Sequence, residues 1–173
     1  PTKPAALPPQ RAASGPCAGV VGLRNIGCTC YMNAVLQCLA GAADMLEYFV
    51  KGSAVEGDLN PDNFLGSGGN VARAFQELLR IMWAGEQVGA FAPTAFKAAL
   101  SKAAAQFQAA GQQDAQEFAT YLLDCLHEDL NRVRGRKPAV EYPDLTPEAL
   151  SVKGEERYAA ECWYLYLSRD KSI

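Results

Sequence analysis

Apolar residues recur along most of the chain at helical rather than strand spacing. From Thr29 to about Val50, Met32, Val35, Leu36, Leu39 and Ala43 share one helical face. Gly27 and Thr29 supply a break and a candidate N-cap before it, and Gly41 is placed to end or bend it. Residues 51–69 carry five glycines with Pro61, Asp62 and Asn63, so a loop is expected there. Asn70 is placed to cap the next helix, where Val71, Ala74, Phe75, Leu78, Leu79, Met82 and Trp83 keep the helical period until Gly85. Pro93 suits the first turn of a third helix, with Phe96, Leu100, Ala103 and Phe107 on one face and Gly111 beyond. The fourth helix, over 113–131, has the clearest stripe: Ala115, Phe118, Ala119, Leu122, Leu126 and Leu130. Asp114 and Glu117 lie in its first turns, where they complement the helix dipole.

Arg132, Arg134, Arg136, Lys137 and Pro138 then form a short basic connector, read as a solvated loop. Thr146-Pro147 opens a final helical segment holding Val152, Ala159, Cys162, Trp163, Tyr166 and Leu167, with Gly154 weakening its first turn. No alternation is long enough to suggest a sheet, and no internal repeat occurs. The expected fold class is mainly α, with five helices.

Composition narrows the picture. Residues 1–16 are rich in Pro, Ala and Ser without an apolar period, so they are expected to be a flexible leader before an ordered unit over 17–173. A length of 173 residues fits one domain. A 49% hydrophobic, 20% charged composition argues against disorder. A net charge of −3 lacks the basic excess of a nucleic-acid binder. No apolar run approaches the ~18 residues of a membrane span, and the N-terminal stretch lacks a signal peptide's apolar core. The six cysteines, at 17, 28, 30, 38, 125 and 162, show neither a disulfide framework nor paired zinc-ligand spacing. A reducing, intracellular location, cytoplasmic or nuclear, is expected.

Cys30 stands in the first turn of a predicted helix, after the loop Gly22–Gly27. Unpaired N–H groups at such a position favour a thiolate and can face a developing oxyanion. Asn25 offers a side-chain NH₂ donor for the same purpose. These features alone also fit a small buried cysteine at a helix start.

Gly22-Leu23-Arg24-Asn25-Ile26-Gly27-Cys28-Thr29-Cys30-Tyr31-Met32-Asn33-Ala34-Val35-Leu36-Gln37 is more specific. So is Gln112-Gln113-Asp114-Ala115-Gln116-Glu117-Phe118, followed by Leu122-Leu123-Asp124 and Leu126-His127-Glu128-Asp129-Leu130-Asn131. The first closely resembles the cysteine box of the ubiquitin-specific proteases, and the second resembles that family's following motif. Phe91-Ala92-Pro93, Phe96-Lys97, Phe107 and the Trp163…Ser172-Ile173 end are also similar, so the resemblance covers roughly residues 19–173. It implies the helical N-terminal thumb of a papain-like cysteine peptidase fold, with fingers and palm absent from this chain. It implies cleavage after the C-terminal glycine of ubiquitin, with Cys30 as nucleophile and Asn25 in the oxyanion hole. Asp114 and Gln116 would contact the substrate tail, whose arginines suit a carboxylate.

One departure is an absence. The resemblance implies a histidine as general base, in a later box that this chain does not contain. His127, the single histidine, occupies a motif position without catalytic duty in the family. The segment by itself is therefore expected to be inactive, its histidine coming from a missing palm and fingers half. No cofactor is expected in this chain, and a structural zinc would belong to the absent fingers. The implied partners are ubiquitin and ubiquitinated proteins, with neither nucleic acid nor a membrane. The second departure is Cys28, where many members have Asn; it reads as a spectator, since pairing with Cys30 across one residue is geometrically poor. The alternative reading is a non-catalytic module that binds ubiquitin or a partner.

Overall fold

The computed structural model describes residues 19–52, 55–85, 89–108, 111–135, 137–144, 146–148, 151 and 154–170. The expected leader, Cys17, Arg136, Val152 and the Ser172-Ile173 end lie outside them. Among the described residues the architecture is mainly α, as the spacing predicts. The elements are α1 (Cys30–Ala40), α2 (Ala43–Leu46) running into a π-helical turn (Glu47–Lys51), and α3 (Val55–Asp58). Then come α4 (Asn70–Trp83), α5 (Thr94–Ala103) with a 3-10 turn (Ala105–Phe107), α6 (Ala115–Asp129) and α7 (Glu155–Arg169). Among the described residues, extended pairing is limited to one parallel bridge. Arg24 N–H donates to Phe91 O at 2.7 Å, and Phe91 N–H donates to Gly22 O at 2.8 Å.

The predicted first helix breaks at Gly41, as its glycine suggests, and resumes as α2 and the π turn. A Cβ on Gly52 would lie 2.5 Å from Tyr48 O, so this tight exit from the π turn requires glycine. The amphipathic α4 buries Val71, Ala72, Phe75, Leu78, Leu79 and Met82 against α5, α6 and the π turn. Helix α1 packs on α6. A run of edge-on aromatic pairs crosses these seams: Phe49–Phe75 at 5.0 Å, Phe107–Phe118 at 5.5 Å and Tyr31–Phe118 at 5.5 Å between ring centroids. Each fully buried phenylalanine contributes about 1.5–3 kcal/mol of burial free energy.

The structure departs from the sequence reading in four places. The glycine-rich stretch 51–69 holds the short helix α3, because Val55 is buried in the core and Asp58 accepts from the Tyr48 hydroxyl at 2.7 Å. Asn70 does not cap α4. It is the first helical residue, and its side chain donates to Ser67 O. The first N–H groups of the helix instead find Ser67 Oγ, which accepts from Val71 N at 2.8 Å, and the buried Asp129 carboxylate, which accepts from Ala72 N at 3.1 Å. The basic connector is an exposed loop, as expected, but it is also stitched to the body. Arg132 pairs with Asp58 at 2.9 Å, Arg134 donates to Leu59 O at 3.0 Å, and Lys137 bridges Glu128 and Asp170. Finally, α7 starts after Gly154, whose φ of +77° interrupts the expected continuous segment. None of its described residues is buried, and Trp163 is 60% exposed, stacked on Tyr166.

Candidate active site

Cys30 is the first residue of α1 and its side chain is exposed. The first N–H groups of a helix have no carbonyl behind them, so they point at whatever approaches this end. The preceding loop is folded by Asn25. Its Oδ1 accepts from Gly27 N–H at 3.2 Å, from Thr29 N–H at 3.0 Å and from the Thr29 hydroxyl at 3.1 Å. Three donors on one atom settle which end of the amide is oxygen, because the reverse orientation would set NH₂ against N–H and O–H. Asn25 Nδ2 is thereby left without a protein partner among the described residues, on an exposed side chain. Gly27 and Cys28 turn the chain with φ of +108° and +48°. Cys28 is the one non-glycine residue with positive φ among those described, and its thiol is free and exposed.

Thr29 occupies the N-cap position, yet its hydroxyl caps nothing in α1 and turns back to the loop. Further along the same face, Asn33 Nδ2 donates to Leu23 O and Arg24 O at 3.3 and 3.0 Å, and Gln37 Nε2 donates to Val21 O at 2.9 Å. Thr29, Asn33 and Gln37 recur every four residues. This polar stripe holds the loop on the helix, and the apolar period hid it from the sequence reading.

Asp114 is the N-cap of α6: its Oδ1 accepts from Gln116 N–H at 2.7 Å and Glu117 N–H at 3.1 Å. Its second oxygen has no partner among the described residues. The side chain of Gln116, the second residue of the helix, is exposed. Asp114, Gln116, Glu117 and Asp124 line an open cleft of about 560 Å³ with Gln106 and Tyr121. Cys30 lies outside that cleft. The two helix starts are nevertheless joined by packing, since Tyr31 meets Phe118 at 5.5 Å and stacks on Phe107 at 6.1 Å. Burial, and then the neighbouring Cys30, push the Tyr31 hydroxyl pKa up, so Tyr31 stays neutral as it braces this seam.

His127 does not join Cys30. It lies nine residues beyond Phe118 on α6, a rise of about 13–14 Å along the axis. Its Nε2 sits 3.8 Å from Asp170 Oδ1. His127, Glu128 and Asp170 offer ligand atoms within 4.8 Å of one another. The Lys137 ammonium already lies among them, 3.0 Å from both Glu128 oxygens and 2.6 Å from Asp170 Oδ1. A cation would have to displace a lysine bonded to two carboxylates, so the donor set fits an ion-pair cluster and not a metal centre.

The family model described as ubiquitin carboxyl-terminal hydrolase matches residues 21–170. The chain belongs to the ubiquitin carboxyl-terminal hydrolase family. It is 41% identical over 155 residues to "Ubiquitin carboxyl-terminal hydrolase 4" of Mus musculus, covering 90% of this chain and 15% of that protein. The match to "Ubiquitin carboxyl-terminal hydrolase 10" of Arabidopsis thaliana is also 41% over 155 residues, covering 90% of this chain and 16% of that protein. "Ubiquitin carboxyl-terminal hydrolase 15" of Rattus norvegicus gives 41% over 155 residues, again 90% of this chain and 15% of the relative. This member of the hydrolase family thus spans about 15% of the length of the curated relatives it matches.

Proposed function

We propose that this chain is the nucleophile-bearing part of a cysteine peptidase that hydrolyses the bond after the C-terminal glycine of ubiquitin. The Cys30 thiolate attacks the scissile carbonyl, and the first N–H groups of α1 with Asn25 Nδ2 hold the oxyanion. The thioester then yields to water. Asp114, through its unpartnered oxygen, and Gln116 receive the substrate tail at the start of α6. The acidic cleft suits a basic tail, because charge-assisted pairs with arginine are the stronger kind. The general base is a histidine from a further part of the protein, since His127 is engaged at the far end of α6. The chemistry needs no cofactor from this chain.

One observation carries the reading: the Asn25 amide is held with its oxygen inward and its NH₂ outward, five residues before an exposed cysteine at a helix start.

A ubiquitin C-terminal amide reporter tests it. The chain alone is expected to give no turnover. With the complementary histidine-bearing segment, turnover is expected, and Cys30→Ala should abolish it. Robust turnover by the chain alone, lost on Cys30→Ala, would overturn the external base. Ubiquitin binding that needs no other segment, with no turnover in any combination, would favour the non-catalytic module.

A further inference from the structure

The geometry points to Thr29 as a positioning residue that sets the direction of the Asn25 NH₂. The inference rests on the role proposed for Asn25. Thr29 is 1% exposed. Its Oγ1 accepts from Ile26 N–H at 3.1 Å, which commits a lone pair, and its single proton goes to Asn25 Oδ1 at 3.1 Å. The main-chain N–H of the same residue adds a second bond to Oδ1 at 3.0 Å. Thr29 therefore supplies two of the three donors that pin the amide oxygen, and only its hydroxyl can be removed by substitution. A donor that stabilises an oxyanion acts by being aimed before the charge develops. Removing the hydroxyl leaves Oδ1 with only the Gly27 and Thr29 main-chain donors, so the Asn25 amide is held less tightly and part of the pre-organisation is lost. Thr29 touches no reacting atom, so its effect passes through Asn25.

Thr29→Val keeps the branched shape and removes the hydroxyl, whereas Thr29→Ser keeps the hydroxyl. On the 173-residue chain, ¹⁵N relaxation of the Asn25 side-chain amide is expected to show less order in Thr29→Val and unchanged order in Thr29→Ser. Equal order in all three overturns the inference. If Thr29→Val does not fold, Thr29→Ala carries the same comparison.

In the enzyme complemented for turnover, Thr29→Val is expected to lower kcat about 3- to 10-fold with KM unchanged, the span of one ordinary hydrogen bond. Thr29→Ser should stay within twofold. In an Asn25→Ala background, Thr29→Val should cost nothing further. An additive loss there would mean a merely structural role and would overturn the inference. Asn25→Ala with unchanged kcat would instead sink the oxyanion role, and the relaxation measurement would still decide whether Thr29 orders the amide.

Discussion

Asp129 shows how much one buried carboxylate can organise. It is 0% exposed and accepts from Ser67 N–H and Oγ–H at 2.6 Å each, and from Gly69 N–H and Ala72 N–H at 3.1 Å each. These donors lie 57–62 residues away in sequence and include the start of α4. Asp129→Ala leaves several buried donors unmet and is expected to cost about 3–5 kcal/mol, read from urea unfolding. Asp129→Asn, which keeps one acceptor but turns an NH₂ toward donors, should fall between. Cys125 lies one turn before it. Burial foremost, then the Asp129 charge, push its thiol pKa up to about 12. Alkylation at pH 8, followed by peptide mass mapping, should modify exposed Cys28, Cys30 and Cys38 and reach Cys125 only after unfolding. The cap made by Asp129 was illegible in the sequence because its partners meet only after folding. Asn70, the local candidate, lost to a carboxylate with better placed oxygens. The Thr29–Asn33–Gln37 stripe, by contrast, stands in the sequence at helical spacing, but the apolar period beside it masked it.

At the scale of elements, α7 differs from the rest. Its Trp163 and Tyr164 are exposed, its Tyr158 hydroxyl donates to Pro143 O in the preceding loop, and charged groups fasten its C-terminal end. There Asp170 meets Lys137, with His127 and Arg169 beside it. Burial pushes the Asp170 carboxyl up, but the Lys137 hydrogen bond and charge, with His127 and Arg169, outweigh it and hold the pKa below the usual carboxylate range. Burial opposes the Lys137 charge, and Asp170 and Glu128 together raise its pKa above normal. Folding therefore favours charge on both. The Asp170 contribution is in force above about pH 3.9 and is lost as pH falls through its depressed value. The Lys137 contribution is in force below about pH 10.4 and is lost as pH rises through its elevated value. Hydrogen exchange should show α7 losing protection near its C-terminus below pH 4 while α4 and α6 keep theirs. Asp170→Asn should produce the same local loss at pH 7. The aromatic content of this segment was plain in the sequence, but its exposure was not, since a helical period does not say what covers the face.

For the whole molecule, the decisive seam joins α1 to α6. Phe118 is completely buried between Tyr31 and Phe107 and ties the two helix starts together. Phe118→Ala is expected to cost about 3–5 kcal/mol, seen as a lowered thermal midpoint, by the cavity it opens. The stripes of α4, α5 and α6 made the mainly helical fold legible, because burial follows the apolar period there. The candidate site was read from its motifs, and packing of Tyr31 on Phe118 brings the helix starts that carry Cys30 and Asp114 together. What the pattern missed, α3 and the stitched basic connector, depends on contacts such as Tyr48 with Asp58 and Arg132 with Asp58.

The bonds on Asn25 Oδ1 all close within residues 25–29. Closing so short a loop costs on the order of 2 kcal/mol less chain entropy than joining Asp129 to Ser67, and local closure takes well under a microsecond. The turn beside Cys30 is thus a self-templating cassette: it can take shape before the body of the molecule assembles. Core substitutions should then change how much folded protein exists, while changes inside the cassette alter the local geometry at Cys30 and leave that amount unchanged.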